Sequence, residues 1–168
     1  MKNKCQWLPE LVELDLNNWE NTSDFLYRIF LEDFIKSRPI YNDKGVYVRR
    51  HPEYNGKHDA YFHLTCKMEE GCSDRTPDLE RCKRIKWPRK LIENHMCSRP
   101  NCCNDIKIWK ERYRGKIRIN FLKVKARYIL IIEEHDDYYL LVTAFHFEFQ
   151  HRMIKKLKEY DASTNKLR

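Results

Sequence analysis

IKIWKERYRGKIRINFLKVKARYILIIEEHDDYYLLVTAF (residues 106–145) is the stretch whose reading decides the fold. IKIWKERYRG and KIRINFLKV alternate apolar and charged residues, as half-exposed strands do, because successive side chains point to opposite faces. In the first, Ile106, Ile108 and Lys110 share a face. In the second, Ile117, Ile119 and Phe121 point inward and Lys116, Arg118 and Asn120 outward. ARYILIIEEHDDYYLLVTAF reads as two strands joined at His135, Asp136 and Asp137, and its continuous apolar runs place both at the centre of a sheet. A three- or four-strand antiparallel meander follows.

Upstream, WLPELVELD (7–15) predicts a short helix with Pro9 in its first turn. Asn21, Thr22, Ser23 and Asp24 supply helix-start side chains. DFLYRIFLEDFIKS then sets Phe25, Leu26, Ile29, Phe30 and Phe34 on a helical stripe that Pro39 terminates. IYNDKGVYVRR (40–50) reads as a hairpin, with the turn at Asn42, Asp43, Lys44 and Gly45. Asn55-Gly56 is a second turn signal, leading into AYFHLTC (60–66) as an alternating strand. In that strand Tyr61, His63 and Thr65 share a polar face, and Phe62, Leu64 and Cys66 face the core.

Thr76 as helix cap, with Pro77 at the first helical position, opens a helix through LERCKRIKW. Pro88 kinks it before RKLIEN continues. Residues 147–160 form a last helix, and 162–168 a flexible tail. With no repeat or linker, residues 1–168 read as a single domain with its core in about 22–161. The class is α+β: N-terminal helices, then a four- to six-stranded, mainly antiparallel sheet and a C-terminal helix.

Hydrophobic residues make up 42% and charged residues 35% of the chain, which suits a folded rather than a disordered polypeptide. No apolar run is long enough to span a bilayer, and MKNKCQWLPE has no signal-peptide core, so no membrane association and a cytoplasmic location are expected. The net charge of +8 is unevenly placed. Residues 81–127 hold 16 Lys and Arg against 3 Asp and Glu, a surplus of 13, whereas the flanks are slightly acidic. Such a block favours a polyanion partner such as nucleic acid. Lys83, Lys86, Arg89, Arg112 and Arg118, with Trp87 to stack on a base, are the expected nucleic-acid contacts.

Seven cysteines cannot all pair within the chain, and in a reducing compartment they stay thiols. A zinc site built from Cys97 with Cys102 or Cys103, joined by His95 or His63, is conceivable. No C-x2-C knuckle is present, however, and the spacing points to incidental or buried thiols, so no metal and no cofactor is expected. With four glycines and no Gly-rich loop, a nucleoside triphosphate is not the expected ligand.

The chemistry concentrates between His58 and Arg89, where a histidine and a hydroxyl, His63 and Thr65, precede the arginines Arg81 and Arg84. A histidine titrates near neutrality, and arginines grip phosphate oxygens through paired N–H donors. His51, beside Arg49 and Arg50, is a second candidate histidine. Trp87 and Trp109 suit the core better than a stacking role, Thr143 suits a backbone carbonyl as well as a phosphate, and Asp78 with Arg81 suits an ion pair along a helix.

RRHP (49–52), YFHLT (61–65), DRTPDLERCKRIKWPRKLIEN (74–94), IKIWKERYRGKIRI (106–119), YILIIEEHDDYYLLVTAF (128–145) and HRMIKKLKEYD (151–161) together resemble a group of small bacterial and phage-borne proteins. The layout resembles the barnase–EndoU–colicin–RelE superfamily of metal-independent ribonucleases. That resemblance implies His63 as general base or acid, Thr143 as a phosphate hydrogen-bond donor, and Arg81 and Arg84 as basic site residues. Phe145 stands where the group often has tyrosine, which removes a phenol. The implied function is RNA cleavage by 2′-OH attack in a toxin or phage–host conflict effector, with an antitoxin, immunity protein or defence protein as a further partner. The competing expectation is a non-catalytic nucleic-acid-binding or inhibitor protein of phage or mobile-element origin.

Overall fold

The computed structural model describes residues 6–67, 75–97 and 105–165. The chain order is α1 (Trp19–Phe30) running into a π-helical turn (Leu31–Lys36), β1 (Ile40–Tyr41), β2 (Lys44–Tyr47), α2 (Asp59–Thr65), β3 (Cys66–Lys67), β4 (Thr76–Pro77), α3 (Leu79–Lys83), α4 (Trp87–Glu93), β5 (Ile106–Tyr113), β6 (Lys116–Lys123), β7 (Tyr128–Glu134), β8 (Tyr139–His146) and α5 (Gln150–Asn165). The class is α+β. Six strands form one mixed sheet in the order β1-β2-β8-β7-β6-β5, antiparallel except where β2 runs parallel to β8. β3 and β4 make a separate ribbon.

The four strands of 106–145 form the meander their alternation implies, with β7 and β8 in the middle of the sheet. Both faces of β7 are covered. Tyr128, Leu130 and Ile132 join the larger core with Leu26, Phe30 and Phe34 of the first helical segment. Ile129 and Ile131 join a second core with Trp109, Leu122, Phe147 and Met153, the last from α5. Asn120, expected to point outward, is fully buried, because its cross-strand neighbours Trp109 and Ile131 belong to that second core. α5 runs to Asn165, beyond the predicted end of the last helix.

α1 starts at Trp19 rather than within residues 21–24, with the Asn18 side chain accepting from the Asn21 N–H at 3.3 Å. Phe25, placed on the buried stripe by its spacing, is exposed. Residues 7–15 are not helical. They run as a strap whose Val12 N–H donates to the Lys83 carbonyl at 2.9 Å and whose Pro9 carbonyl accepts from Trp87 Nε1 at 2.9 Å. The hairpin turn is Asn42 and Asp43, both at positive φ, as a two-residue hairpin turn requires.

Two local readings reverse. AYFHLT is helical, not a strand, and only Cys66 is extended, in β3: Ala60, Tyr61 and Leu64 bury one helical stripe. The cap of the following helix is Asp78, whose side chain accepts from the Glu80 and Arg81 N–H groups, while Thr76 and Pro77 lie in β4.

One topological feature makes room for a site. β2 pairs only with Tyr139 and Leu140, so the second half of β8 has no strand on that side. Ile131 pairs with Thr143 and Ile132 with Leu141, leaving Val142 as the extra residue of a bulge. Bulges bend a strand and re-aim its side chains. α2 and α3 pack against this open half of β8.

Candidate active site at the open edge of β8

Asp59 opens α2, its N–H donating to the Arg50 carbonyl at 3.0 Å. Its carboxylate is 6% exposed and holds Arg75 and His63. Oδ1 accepts from Arg75 Nη2 at 2.5 Å. Oδ2 lies 3.2 Å from Nε2 of His63, one helical turn on. A neutral imidazole anchored through Nε2–H keeps Nδ1 as its basic nitrogen. The His63 ring is 46% exposed, so solvent and substrate reach it.

The His63 carbonyl ties the helix to the sheet. It accepts from Arg81 Nη1 at 2.9 Å and from Thr143 Oγ1 at 3.2 Å, and Arg81 Nη1 also lies 3.5 Å from Thr143 Oγ1. Thr143 therefore spends its proton on a backbone carbonyl, the plainer of the two roles open to it. Asp78 and Arg81 form the ion pair along α3, at 3.6 Å. Burial pushes the Arg81 guanidinium below its ordinary pKa, while Asp78 opposes this.

His63, Arg75, Arg81 and Thr143 line a cavity of about 340 Å³ with Phe62, Cys66, Val142 and Phe145. Two walls carry a guanidinium over a ring: Arg75 at 4.6 Å over Phe62, and Arg81 at 5.1 Å over Phe145. Arg75 Nη1 and Arg81 Nε are buried, and neither has a hydrogen-bond partner among the described residues. Burial raises the Cys66 thiol above its ordinary pKa, which leaves it a poor nucleophile.

Of the expected catalytic residues, His63, Arg81 and Thr143 converge here. Thr65 does not: it is buried, and its hydroxyl donates to the Tyr61 carbonyl at 2.8 Å, inside its own helix. Arg84 turns the other way. Its Nη1 donates to the Glu80 carbonyl and carboxylate at 2.9 and 2.6 Å, and its guanidinium covers the Trp87 ring. His51 does not line the cavity. Asp59 and Arg75 were not anticipated, and the signal for Asp59 was its position four residues before His63.

The expected nucleic-acid contacts divide. Trp87 is buried against Tyr128 with its N–H committed to Pro9, so it is no stacking platform. Arg89 caps the π-helical turn, donating to the Asp33 and Ser37 carbonyls. Lys83 pairs with Glu80. Lys86 and Arg112 are exposed, and Arg118 lies over the Tyr113 ring at 3.9 Å. Among the described residues no group of three or more His, Cys, Asp and Glu is placed to hold a metal ion. Cys102 and Cys103, needed for the conceivable zinc set, lie outside the described residues. No described helix is long and apolar enough to cross a membrane. No protein-family model, no curated protein and no solved structure matches this chain.

Proposed function

We propose that this chain is a metal-independent endoribonuclease acting in the cytoplasm, and that the cavity beside β8 is its active site. One observation carries the proposal: a histidine oriented by a buried carboxylate opens onto the same cavity as two arginines, of which Arg75 keeps a buried Nη1 with no partner among the described residues. RNA contains its own nucleophile, so the protein must move protons and stabilise charge. His63 Nδ1 takes the 2′-OH proton, and Asp59 stabilises the resulting imidazolium. The 2′-oxygen bonds to phosphorus, the P–O5′ bond breaks, and the 5′-oxygen takes a proton from solvent at the exposed ring. Arg75 and Arg81 balance the negative charge on the phosphoryl oxygens. Thr143 positions His63 through its carbonyl.

Phe62 and Phe145 offer apolar faces for an unpaired base. The resemblance to the barnase–EndoU–colicin–RelE superfamily points the same way, and with it the proposal extends to a toxin or phage–host conflict effector held in check by an antitoxin or immunity protein. Incubation with total RNA in EDTA tests the reading. It should yield fragments ending in 2′,3′-cyclic phosphate and 5′-OH. Intact RNA that still shifts on a native gel would support the competing reading instead, a non-cutting nucleic-acid binder or inhibitor that uses exposed cations such as Lys86 and Arg112.

A further inference from the structure

A second, smaller recess of about 160 Å³ shares His63 and Val142 with the cavity just described and is lined by Asp59 as well. Arg49, Arg118 and Glu133 supply its other charged side chains. Its two acids are already engaged: Asp59 by Arg75 and His63, and Glu133 by His135 Nε2 at 2.9 Å. Its two arginines are not. Among the described residues neither Arg49 nor Arg118 has an ion-pair partner; Arg118 lies over the Tyr113 ring at 3.9 Å, and its Nε is buried without a hydrogen-bond partner. The recess is less than half the volume of the main cavity, too small for a base with its sugar yet suited to an anion held by forked N–H donors.

From this we propose that the Arg49–Arg118 recess is a second phosphate subsite, taking the phosphodiester next to the one positioned by Arg75 and Arg81, with His63 between them. This rests on the ribonuclease reading and deepens it: the substrate is a single-stranded RNA with at least two consecutive phosphodiesters, and a dinucleoside monophosphate is a poor substrate. Arg118 stacks on Tyr113, which lies at the end of the β5–β6 ladder, so the strand leaves the site toward that end of the sheet.

The test compares kcat/KM for a trinucleoside diphosphate and a dinucleoside monophosphate. The wild type should favour the longer substrate about tenfold, the effect expected of one charge-assisted anchor. In R49M/R118M, which keeps the aliphatic stems, the ratio should fall to about one, and in R49K/R118K much of it should persist. A preference unchanged in R49M/R118M would overturn the subsite. If the wild type cuts neither substrate, the ribonuclease reading fails, and binding of a 2′-O-methyl trinucleotide then decides the subsite alone. The log–log salt slope should drop by about one in R49M/R118M. An unchanged slope would overturn the proposal there too.

Discussion

Replacing His63 by alanine should slow RNA cleavage about 10²–10⁴-fold, the range expected when a general acid–base group is lost. The fold should survive. The ring is half-exposed, and the contacts that fasten α2 to β8 run through the His63 carbonyl, which alanine retains. Single-turnover rates with matched circular dichroism spectra would check both halves. An unchanged rate would remove His63 from the chemistry. A fall in rate with loss of fold would instead mark it as structural. Asp59→Asn keeps the shape beside His63 but removes the negative charge shared with Arg75, so it should lower the rate in the same direction by a smaller factor.

The largest stability effect is expected far from the site, at Asp105. Its carboxylate holds Lys123 Nζ at 2.8 and 3.1 Å, with the two side chains 6% and 5% exposed, and it also accepts from the Lys125 N–H at 2.8 Å. The pair closes the end of the β5–β6 ladder, where the Asp105 carbonyl accepts from Val124 as well. Asp105→Ala removes a buried carboxylate that pairs with a buried ammonium and frees a backbone N–H, at a cost of about 3–5 kcal/mol. For a chain of this length the melting temperature should then fall by on the order of 10 °C. Thermal melts of D105A beside wild type would show it, and a shift of only a degree or two would mean the pair is better solvated than its burial indicates.

The meander was legible because nothing competes with its pattern. From 106 to 145, period-two alternation, continuous apolar runs and the acidic turn at 135–137 all agree. The stretch 60–66 was not legible. Its aromatic and Thr content favours a strand, yet Ala60, Tyr61 and Leu64 find one apolar surface only as a helix. That error carried into the site. As a strand, Thr65 would stand beside His63; as a helix it turns into the core, and Asp59 takes its place. The strap at 7–15 misled for a related reason, since its partners Lys83 and Trp87 lie more than 70 residues away, beyond any local signal.

Part of the basic block serves the fold. Arg84 braces α3, Arg89 caps a helical turn and Lys123 neutralises Asp105. Arg75, the cation that completes the site, lies outside the block altogether. Composition marks where charge is dense; it does not separate the cations that meet a ligand from those that meet a carbonyl.

The most direct measurement of the central claim uses two oligonucleotides that differ by one oxygen. Once a cleaved position in an RNA has been mapped, the same RNA is prepared with 2′-deoxyribose at that position alone. Attack by the 2′-OH within the His63 cavity predicts that the all-ribose strand is cut in EDTA and the substituted strand stays intact at that linkage while binding equally well. Cleavage of the 2′-deoxy linkage would contradict the account, because the nucleophile would then have to come from elsewhere.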